Sequence, residues 1–343
     1  MSQRRLPVYF LLDCSESMIG DSIAAVQKGV ELLLRQLRSD PNALELAYVS
    51  FITFNSTAQQ IIPLSELTEV QPPKLQVRPG TALGAAFKLL HECISREVKK
   101  TTSERKGDYR PIVFLLTDGQ PTDNWQGVKT AISRLANPRI AMMYAIGCGD
   151  DVDFEVLHDA CDAVFKLDDM SPEKLQKLFI WLSASVQSAS AAVGGSETIG
   201  GIDLGKKPPE VEVVNRGSQP HYSGPPRQVF LKMYCSSKGR PYLVRYRMNP
   251  EYERYTPVAA HPLEATSEKS SEFQIPPINS SMILGMASCP YCNNPSGVVC
   301  TCGCIMCMSP TSTEDMRCPQ CRVKFTLDDC GSGGDFTVDQ SAG

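Results

Sequence analysis

The sequence lacks the excess of charge and the long apolar runs that several classes of protein require. Its net charge is only −4 over 343 residues, which gives no electrostatic reason to expect nucleic-acid binding. An apolar stretch follows Arg4 and Arg5 but ends at Asp13, so it is too short for a signal peptide and far too short to span a bilayer. We therefore expect a cytoplasmic protein without a membrane span.

Histidine is also scarce, and the sequence shows no pattern of an activated nucleophile. There are four histidines, and His91 lies in a helical pattern that favours a structural or exposed position. No serine or cysteine has a recognisable general base near it in the sequence. The sequence therefore predicts a protein that is not an enzyme and has no catalytic residue.

What the sequence does contain is a set of oxygen-bearing side chains directly after an apolar run. The run Val8–Leu12 is followed by Asp13, Ser15 and Ser17. A continuous apolar run is typical of a buried parallel strand, and ligands collect at the carboxyl ends of such strands in open α/β sheets. One carboxylate and two hydroxyls form an all-oxygen ligand set, which suits Mg²⁺ or a similar hard cation better than zinc or copper.

Two further segments offer oxygen atoms of the same kind. A second apolar run, from Pro111 to Leu116, is followed by Asp118 and by Gly119, which lets the chain turn. The segment 78–84 is predicted to be a loop that opens a helix, and it carries the hydroxyl of Thr81. The three segments together predict one divalent-cation site at the edge of a sheet.

The DxSxS motif, a Thr in a G-T loop and a T-D-G motif, in this order, resemble the metal-ion-dependent adhesion site of von Willebrand factor A domains. The resemblance extends over about the first 190 residues. It implies that Ser15, Ser17 and Thr81 coordinate the cation through hydroxyls, and that Asp13 and Asp118 act directly or through water. Such a shell leaves one position that a partner's Asp or Glu can fill, so we expect the Mg²⁺ to bridge two proteins and not to catalyse a reaction.

The remaining pattern alternates strands and helices, which is typical of a doubly wound, mostly parallel α/β sheet. The predicted elements are a helix around 23–37, a strand 46–54 that turns back toward 61–62, helices at 83–98, 125–135, 154–160 and 172–188, and a strand at 140–146. Thr122 or Asp123 is most simply the N-cap of the helix 125–135. Alternatively, Asp123 tunes the cation or its ligands from outside the ligand shell.

Composition divides the chain into segments. We predict an A domain over 1–190, a flexible linker over 191–226 in which Val211–Val214 can form a short strand, and a disordered tail over 331–343. Residues 227–330 are predicted to be a small β-rich, zinc-binding domain. It begins with the strand patterns Gln228–Cys235 and Tyr242–Met248, and such a hairpin needs further structure to be stable.

The second chemical signal is the cysteine content of this small domain. In the reducing setting expected here, the fourteen cysteines argue for metal ligands over disulfides. Eight of them lie in C-P-x-C pairs or between these pairs: Cys289, Cys292, Cys300, Cys302, Cys304, Cys307, Cys318 and Cys321. Four thiolates suit tetrahedral Zn²⁺, so the sequence predicts one or two structural zinc ions.

Spacing alone leaves the grouping of these ligands open. One alternative is a ribbon site that joins the two C-P-x-C pairs, with the four central cysteines in a second site. The other is a cross-brace in which Cys289 and Cys292 join Cys304 and Cys307. One of Cys300, Cys302 and Cys304 can be a bystander, because Gly303 permits a sharp turn. We interpret the other cysteines as ordinary core or surface residues: Cys14, Cys93, Cys148, Cys161, Cys235 and Cys330.

The combination of the two signals resembles the TerY family of tellurite-resistance-associated proteins, with their C-terminal metal-binding domain. The residues that carry the resemblance are the L-T-D-G-Q-P-T-D loop, the hairpin with V-F-L-K-M-Y-C and R-P-Y-L-V-R-Y, and the cysteine-rich segment. The resemblance implies a non-enzymatic adaptor that works beside a protein kinase and a phosphatase in a stress response. Cys304 stands where that family does not require cysteine.

An alternative function concerns the cysteine-rich segment itself. As a RING-like module it would recruit a modifying enzyme, but Pro310 stands where a C-x-x-C partner of Cys307 would be expected. As a zinc ribbon it would bind nucleic acid through Arg317, Arg322 and Lys324, and these charges are few.

Overall fold

The computed structural model describes residues 4–103, 105–123, 140–149, 152–195, 207–217, 228–249, 251–263, 277–308, 316–325 and 337–338. The chain divides into two compact units, Met1–Tyr222 and Ser223–Gly343. No helix in these ranges is both long enough and apolar enough to cross a membrane. The predicted helix 125–135 and Cys330 lie outside the described residues.

The first unit is built on one seven-stranded sheet. In chain order its strands are β1 (Leu6–Asp13), β2 (Ala47–Phe54), β3 (Ala58–Glu66), β4 (Ile112–Thr117), β5 (Met142–Cys148), β6 (Ala163–Leu167) and β7 (Val211–Val214). Their order across the sheet is β3-β2-β1-β4-β5-β6-β7, and only the edge strands β3 and β7 run antiparallel to their neighbours. The predicted doubly wound, mostly parallel α/β fold is confirmed.

Helices lie on both faces of this sheet. Among the described residues they are α1 (Asp21–Ser39), α2 (Pro41–Leu46), α3 (Leu83–Glu97), α4 (Phe154–Ala160) and α5 (Pro172–Gly195). Alternate residues of β1 point to opposite faces, so Phe10 packs in one core with residues of α1 and α5, and Leu11 packs in the other with residues of α3 and α4. All eight residues of β1 and all six of β4 are buried, which is why both strands read as continuous apolar runs.

The short helix α2 is an element that the sequence interpretation missed. Asp40 is both the C-cap of α1 and the N-cap of α2, which begins at Pro41. The Asp40 carboxylate accepts a hydrogen bond of 2.8 Å from the backbone N–H of Ala43, and Pro41 occupies the first helical turn. The same two residues therefore end one helix and start the next.

The second unit is rich in β structure, as predicted. The hairpin β8 (Gln228–Tyr234) and β9 (Pro241–Asn249) is extended on one side by β10 (Arg254–Pro262). On the other side, β13 (Ile305–Met308) runs parallel to β8 and pairs with β12 (Ser296–Val299). The cysteine-rich segment thus completes the sheet of the hairpin.

Two shorter pairings involve the rest of this unit and the predicted tail. β14 (Met316–Arg317) pairs with β15 (Lys324–Phe325), and β11 (Ile278–Asn279) pairs with β16 (Thr337–Val338). The sequence predicts a disordered tail over 331–343, whereas Val338 in this range is buried in the core. The difference arises because a two-residue strand has no periodicity that a sequence pattern can display.

Candidate functional site

The first candidate site lies where β1 and β4 end side by side. The strands are parallel neighbours with Leu12 opposite Leu116, so Asp13 and Thr117 come next to each other at the carboxyl edge. The Thr117 hydroxyl donates to Asp13 Oδ2 over 2.6 Å, and the Ser15 N–H donates to Asp13 Oδ1 over 2.9 Å. Burial raises the pKa of Asp13 to about 6, and these hydrogen bonds act in the opposite direction.

Three more predicted residues surround this carboxylate. Ser15 is the N-cap of a 3₁₀ turn, Glu16–Met18, which brings Ser17 back beside it. The Ser15 and Ser17 Oγ atoms lie 2.8 Å apart, and the Ser17 hydroxyl donates to Asp118 Oδ1 over 2.6 Å. The DxSxS motif and the T-D-G motif therefore meet through direct side-chain contacts.

Thr81 reaches the same place from the loop before α3. It is almost fully buried. A Cβ atom built on Gly119 would lie 3.4 Å from Thr81 Oγ1, so this hydroxyl lies directly over the turn that follows Asp118. The structure thus brings Asp13, Ser15, Ser17, Thr81 and Asp118 together. Their two carboxylates and three hydroxyls form an all-oxygen donor set that fits a hard divalent cation.

Glu16 is a residue at this site that the sequence interpretation missed. It occupies a spacer position of DxSxS, yet its side chain is fully buried. Its Oε2 accepts a hydrogen bond of 3.1 Å from the N–H of Gly80, next to Thr81. An acidic residue between the two serines of the motif is the sequence signal that could have indicated this role.

Asp123 has a role that the sequence interpretation did not include, because its carboxylate caps α3. The helix 125–135, which Asp123 was expected to cap, lies outside the described residues. Oδ1 accepts from the N–H of Gly84 and Oδ2 from the N–H of Ala85, each over 2.9 Å. The sequence could not indicate this role, because 39 positions separate Asp123 from Gly84.

The first of two thiol clusters forms in the core of the second unit. Its members are Cys235, Cys289, Cys292 and Cys307, whose Sγ atoms all lie within 4.8 Å of one another. The Sγ atoms of Cys292 and Cys307 are 3.4 Å apart. Burial opposes the charged form of Cys307, but hydrogen bonds from Ser236 and from the neighbouring thiols lower the pKa of Cys307 below its usual value. A thiolate is the form that binds a metal ion.

The second thiol cluster consists of Cys300, Cys302, Cys318 and Cys321, again with all Sγ atoms within 4.8 Å of one another. Cys302 and Cys321 are exposed, whereas Cys300 and Cys318 are buried. Burial opposes the charged form of Cys318, but backbone N–H groups of Cys321 and Gln320 hydrogen-bond its sulfur and lower the pKa of Cys318 to about 6.

The structure places two single cysteines differently from the sequence interpretation. Cys304, predicted as a ligand, belongs to neither cluster, and Cys235, interpreted as an ordinary core residue, belongs to the first. Cys304 is excluded by a tight turn. In this turn the N–H of Cys300 donates to Cys304 O, and the N–H of Gly303 donates to Cys300 O. The turn folds Cys302 back beside Cys300 and leaves Cys304 at the start of β13. Cys235 follows β8, which is paired with β13, and so lies near Cys307.

The grouping follows the cross-brace alternative, with one member exchanged, and differs from the ribbon alternative. Cys289 and Cys292 join Cys307, as in the cross-brace, but Cys235 stands in place of Cys304. The pair Cys318 and Cys321 joins residues from the central group instead of the other C-P-x-C pair. Among the other cysteines, Cys14, Cys93 and Cys148 are buried and Cys161 is half-buried in the first unit.

Comparison with protein-family models gives two matches. Residues 8–179 match the von Willebrand factor type A domain, and residues 227–343 match the TerY-C metal binding domain. Comparison with curated proteins gives no match.

Several solved structures are similar to this chain over part of their length. A von Willebrand factor type A protein from Catenulispora acidiphila is 16% identical, with a TM-score of 0.42 over 54% of this chain and 43% of that chain. Proximal thread matrix protein 1 from the mussel byssus, with a zinc-occupied MIDAS motif, is 20% identical, with a TM-score of 0.38 over 55% of this chain and 46% of that chain. The PilB minor pilin from Streptococcus sanguinis is 14% identical, with a TM-score of 0.42 over 57% of this chain and 64% of that chain. This chain thus covers less than two thirds of each of these proteins.

The two family matches divide the chain at the same place as the two signals in its sequence, with the oxygen-rich site in the first part and the thiol clusters in the second. Because the first match spans half of the chain, the protein belongs to the von Willebrand factor type A domain family, and here this domain is followed by a TerY-C metal binding domain.

Proposed function

We propose that the protein is a non-enzymatic adaptor that binds a partner protein through a divalent cation, preferably Mg²⁺. Asp13, Ser15, Ser17, Thr81 and Asp118 would hold the cation, and the partner would contribute an Asp or Glu side chain. The observation that carries this proposal is the convergence of oxygen atoms at the edge of the sheet, where the Ser17 hydroxyl lies 2.8 Å from Ser15 Oγ and 2.6 Å from Asp118 Oδ1.

The charges of these residues suit a bridging role. The three hydroxyls are neutral, so a divalent ion keeps net positive charge in its ligand shell where Asp13 or Asp118 acts through water instead of directly. When bound, the cation would then supply an open coordination position and this residual charge for an incoming carboxylate. The chain itself holds the Asp13 carboxylate in place, through the Thr117 hydroxyl and the Ser15 N–H.

The two thiol clusters support a structural role for zinc in the second unit. Each cluster offers four sulfur atoms within 4.8 Å of one another, which suits a closed tetrahedral site. In the first cluster, Cys235 follows a strand of the hairpin while the other three cysteines come from the cysteine-rich segment. Zinc there would tie these two parts together and contribute free energy of folding.

The cellular setting is inferred from the resemblance to TerY proteins. We place the adaptor in the cytoplasm, in a tellurite or related stress response, beside a protein kinase and a phosphatase. Either of these enzymes is a candidate for the partner that supplies the carboxylate.

Affinity capture from cells tests the bridging role. The wild-type chain and Asp13→Ala are used side by side, with Mg²⁺ added or omitted and without a chelator that would remove zinc. The proposal expects one set of partners to be lost both with the variant and without Mg²⁺. It also expects that changing one Glu or Asp of such a partner to its amide abolishes binding. Equal affinity for the captured partner in all four conditions would refute the bridging role.

A further inference from the structure

Four hydrogen bonds join the Thr81 loop and the start of α3 to the loop that carries Asp118. Thr122 makes two of them with Thr81 itself. The Thr122 N–H donates to Thr81 O over 2.9 Å, and Thr122 Oγ1 accepts from the Thr81 N–H over 3.0 Å. Asp123 makes the other two, with Gly84 and Ala85. Both polar atoms of the Thr81 backbone are therefore held by one residue of the other loop.

Asp123 compensates for a helix start that has no cap of its own. α3 begins at Leu83, and its N-cap residue, Ala82, has no side chain that can accept a hydrogen bond. The first N–H groups of a helix have no partner inside the helix, and a negative charge at this end is favourable. The carboxylate of Asp123 supplies both the acceptors and the charge from a different loop.

Residues that follow other strands of the sheet hold the opposite side of the Thr81 loop. Gly80 donates to the buried Glu16 carboxylate over 3.1 Å, and Pro79 O accepts from the N–H of Ser56 over 2.7 Å. These contacts hold the loop to the segments that follow β1 and β2. Thr122 and Asp123 connect it to the loop that carries Asp118.

We propose that Thr122 and Asp123 are positioning residues for the cation site, an inference that rests on the proposed function. They hold the Thr81 hydroxyl at a fixed position relative to the Asp118 carboxylate, and they are not ligands themselves. The physical reason is the narrow geometry that Mg²⁺ demands, because a small displacement of one oxygen ligand weakens the whole shell. Residues that orient the ligands of a metal typically change its affinity by about 10- to 100-fold when they are removed.

The test is a titration of the full, zinc-loaded chain with Mn²⁺, a cation with the same preference for oxygen ligands, followed by electron paramagnetic resonance. The variants are Asp123→Ala and Thr122→Val, which remove the acceptor atoms, and Thr122→Ser, which keeps the hydroxyl. Asp13→Ala marks the loss of the site. Asp40→Ala is the matched control, because it also removes a carboxylate that caps a helix. The helix that Asp40 caps precedes β2 and lies at the other edge of the sheet, away from the cation site.

We expect Asp123→Ala to weaken Mn²⁺ binding by about 10- to 100-fold. Thr122→Val should also weaken Mn²⁺ binding, while Thr122→Ser and Asp40→Ala should bind Mn²⁺ with the affinity of the wild type. Circular dichroism at the titration temperature identifies folded variants, and Thr122→Val decides the question if Asp123→Ala does not fold. Wild-type affinity in both loop variants, with none in Asp13→Ala, would overturn this inference and leave the proposed site standing. Wild-type affinity in Asp13→Ala would overturn the proposed site itself.

Discussion

The Ser17 hydroxyl donates to Asp118 Oδ1 over 2.6 Å, although 101 positions separate the two residues in the chain. The contact exists because β1 and β4 are parallel neighbours, so the residues that follow them meet at one edge of the sheet. It joins two motifs that, taken separately, are compatible with ordinary turns and helix caps. The meeting of these motifs is what makes a cation site credible.

The first prediction concerns the charge at this edge. Asp118→Asn keeps the shape of the side chain but removes one of the two negative charges that face the cation. We expect the variant to lose the stabilisation that Mg²⁺ gives to the wild type, which is about 2.7 kcal/mol when the concentration of Mg²⁺ is a hundred times its dissociation constant. Thermal unfolding of both proteins with and without Mg²⁺ measures this difference. An equal rise of Tm in the two proteins would exclude Asp118 from the site.

The second prediction separates two buried cysteines of the second unit. Cys235→Ser should lower the zinc content by one ion per chain, because Cys235 belongs to the first thiol cluster. Cys304→Ser is the matched control and should keep all zinc, since Cys304 is equally buried but lies in neither cluster. Elemental analysis of proteins purified without chelator gives the zinc content directly. Loss of zinc from Cys304→Ser alone would reverse the ligand assignment.

The third prediction is that the two proposed zinc ions leave at different rates. The second thiol cluster has two exposed members, Cys302 and Cys321, whereas three of the four cysteines in the first cluster are buried. A chelator should therefore remove the zinc of the second cluster first, and release should follow two phases. Cys318→Ser should abolish the fast phase and unfold the surrounding segment while the first unit remains folded. A single phase in the wild type would contradict this order.

The fourth prediction compares two glycines of the first unit with similar backbone conformation. Gly80 has φ +91° and Gly149 has φ +85°, so alanine at either position costs about 1–2 kcal/mol of backbone energy. At Gly80 the new Cβ would also lie 2.9 Å from Ser56 Cα, whereas at Gly149 it would meet nothing within 4 Å among the residues that the structure describes. Gly80→Ala should therefore lower the free energy of unfolding more than Gly149→Ala does. Chemical denaturation measures both values, and equal losses would show that the close approach of Ser56 costs nothing.

The parts of the fold that could be predicted from the sequence are those with a local cause. β1 and β4 are buried on both faces, so their apolar runs are visible in the sequence, and so is the acid that follows each run. Helix α1 was predicted around 23–37 and spans Asp21–Ser39, because its apolar residues recur at helical spacing along one buried face. Helix α2 was missed because Asp40 and Pro41 can either end or begin a helix.

The roles of Asp123 and Cys235 could not be predicted, because both depend on contacts between distant segments. Asp123 precedes a predicted helix, so a local cap was the simplest interpretation, yet α3 uses its carboxylate. Cys235 stands 54 positions before Cys289 and outside any C-x-x-C pair, so nothing near it indicated a metal ligand. Pairing of β8 with β13 is what brings it beside Cys307.

The sequence by itself determined the class of the fold, the kinds of atoms available for metal binding and the order of the two units along the chain. These properties follow from local periodicity and from the chemistry of single side chains. Only the tertiary structure decided which thiols share a cluster, which loop caps α3 and how Thr81 comes to lie over Gly119. Those choices depend on the pairing of strands far apart in the chain, and neither the spacing of residues nor their chemistry specifies that pairing locally.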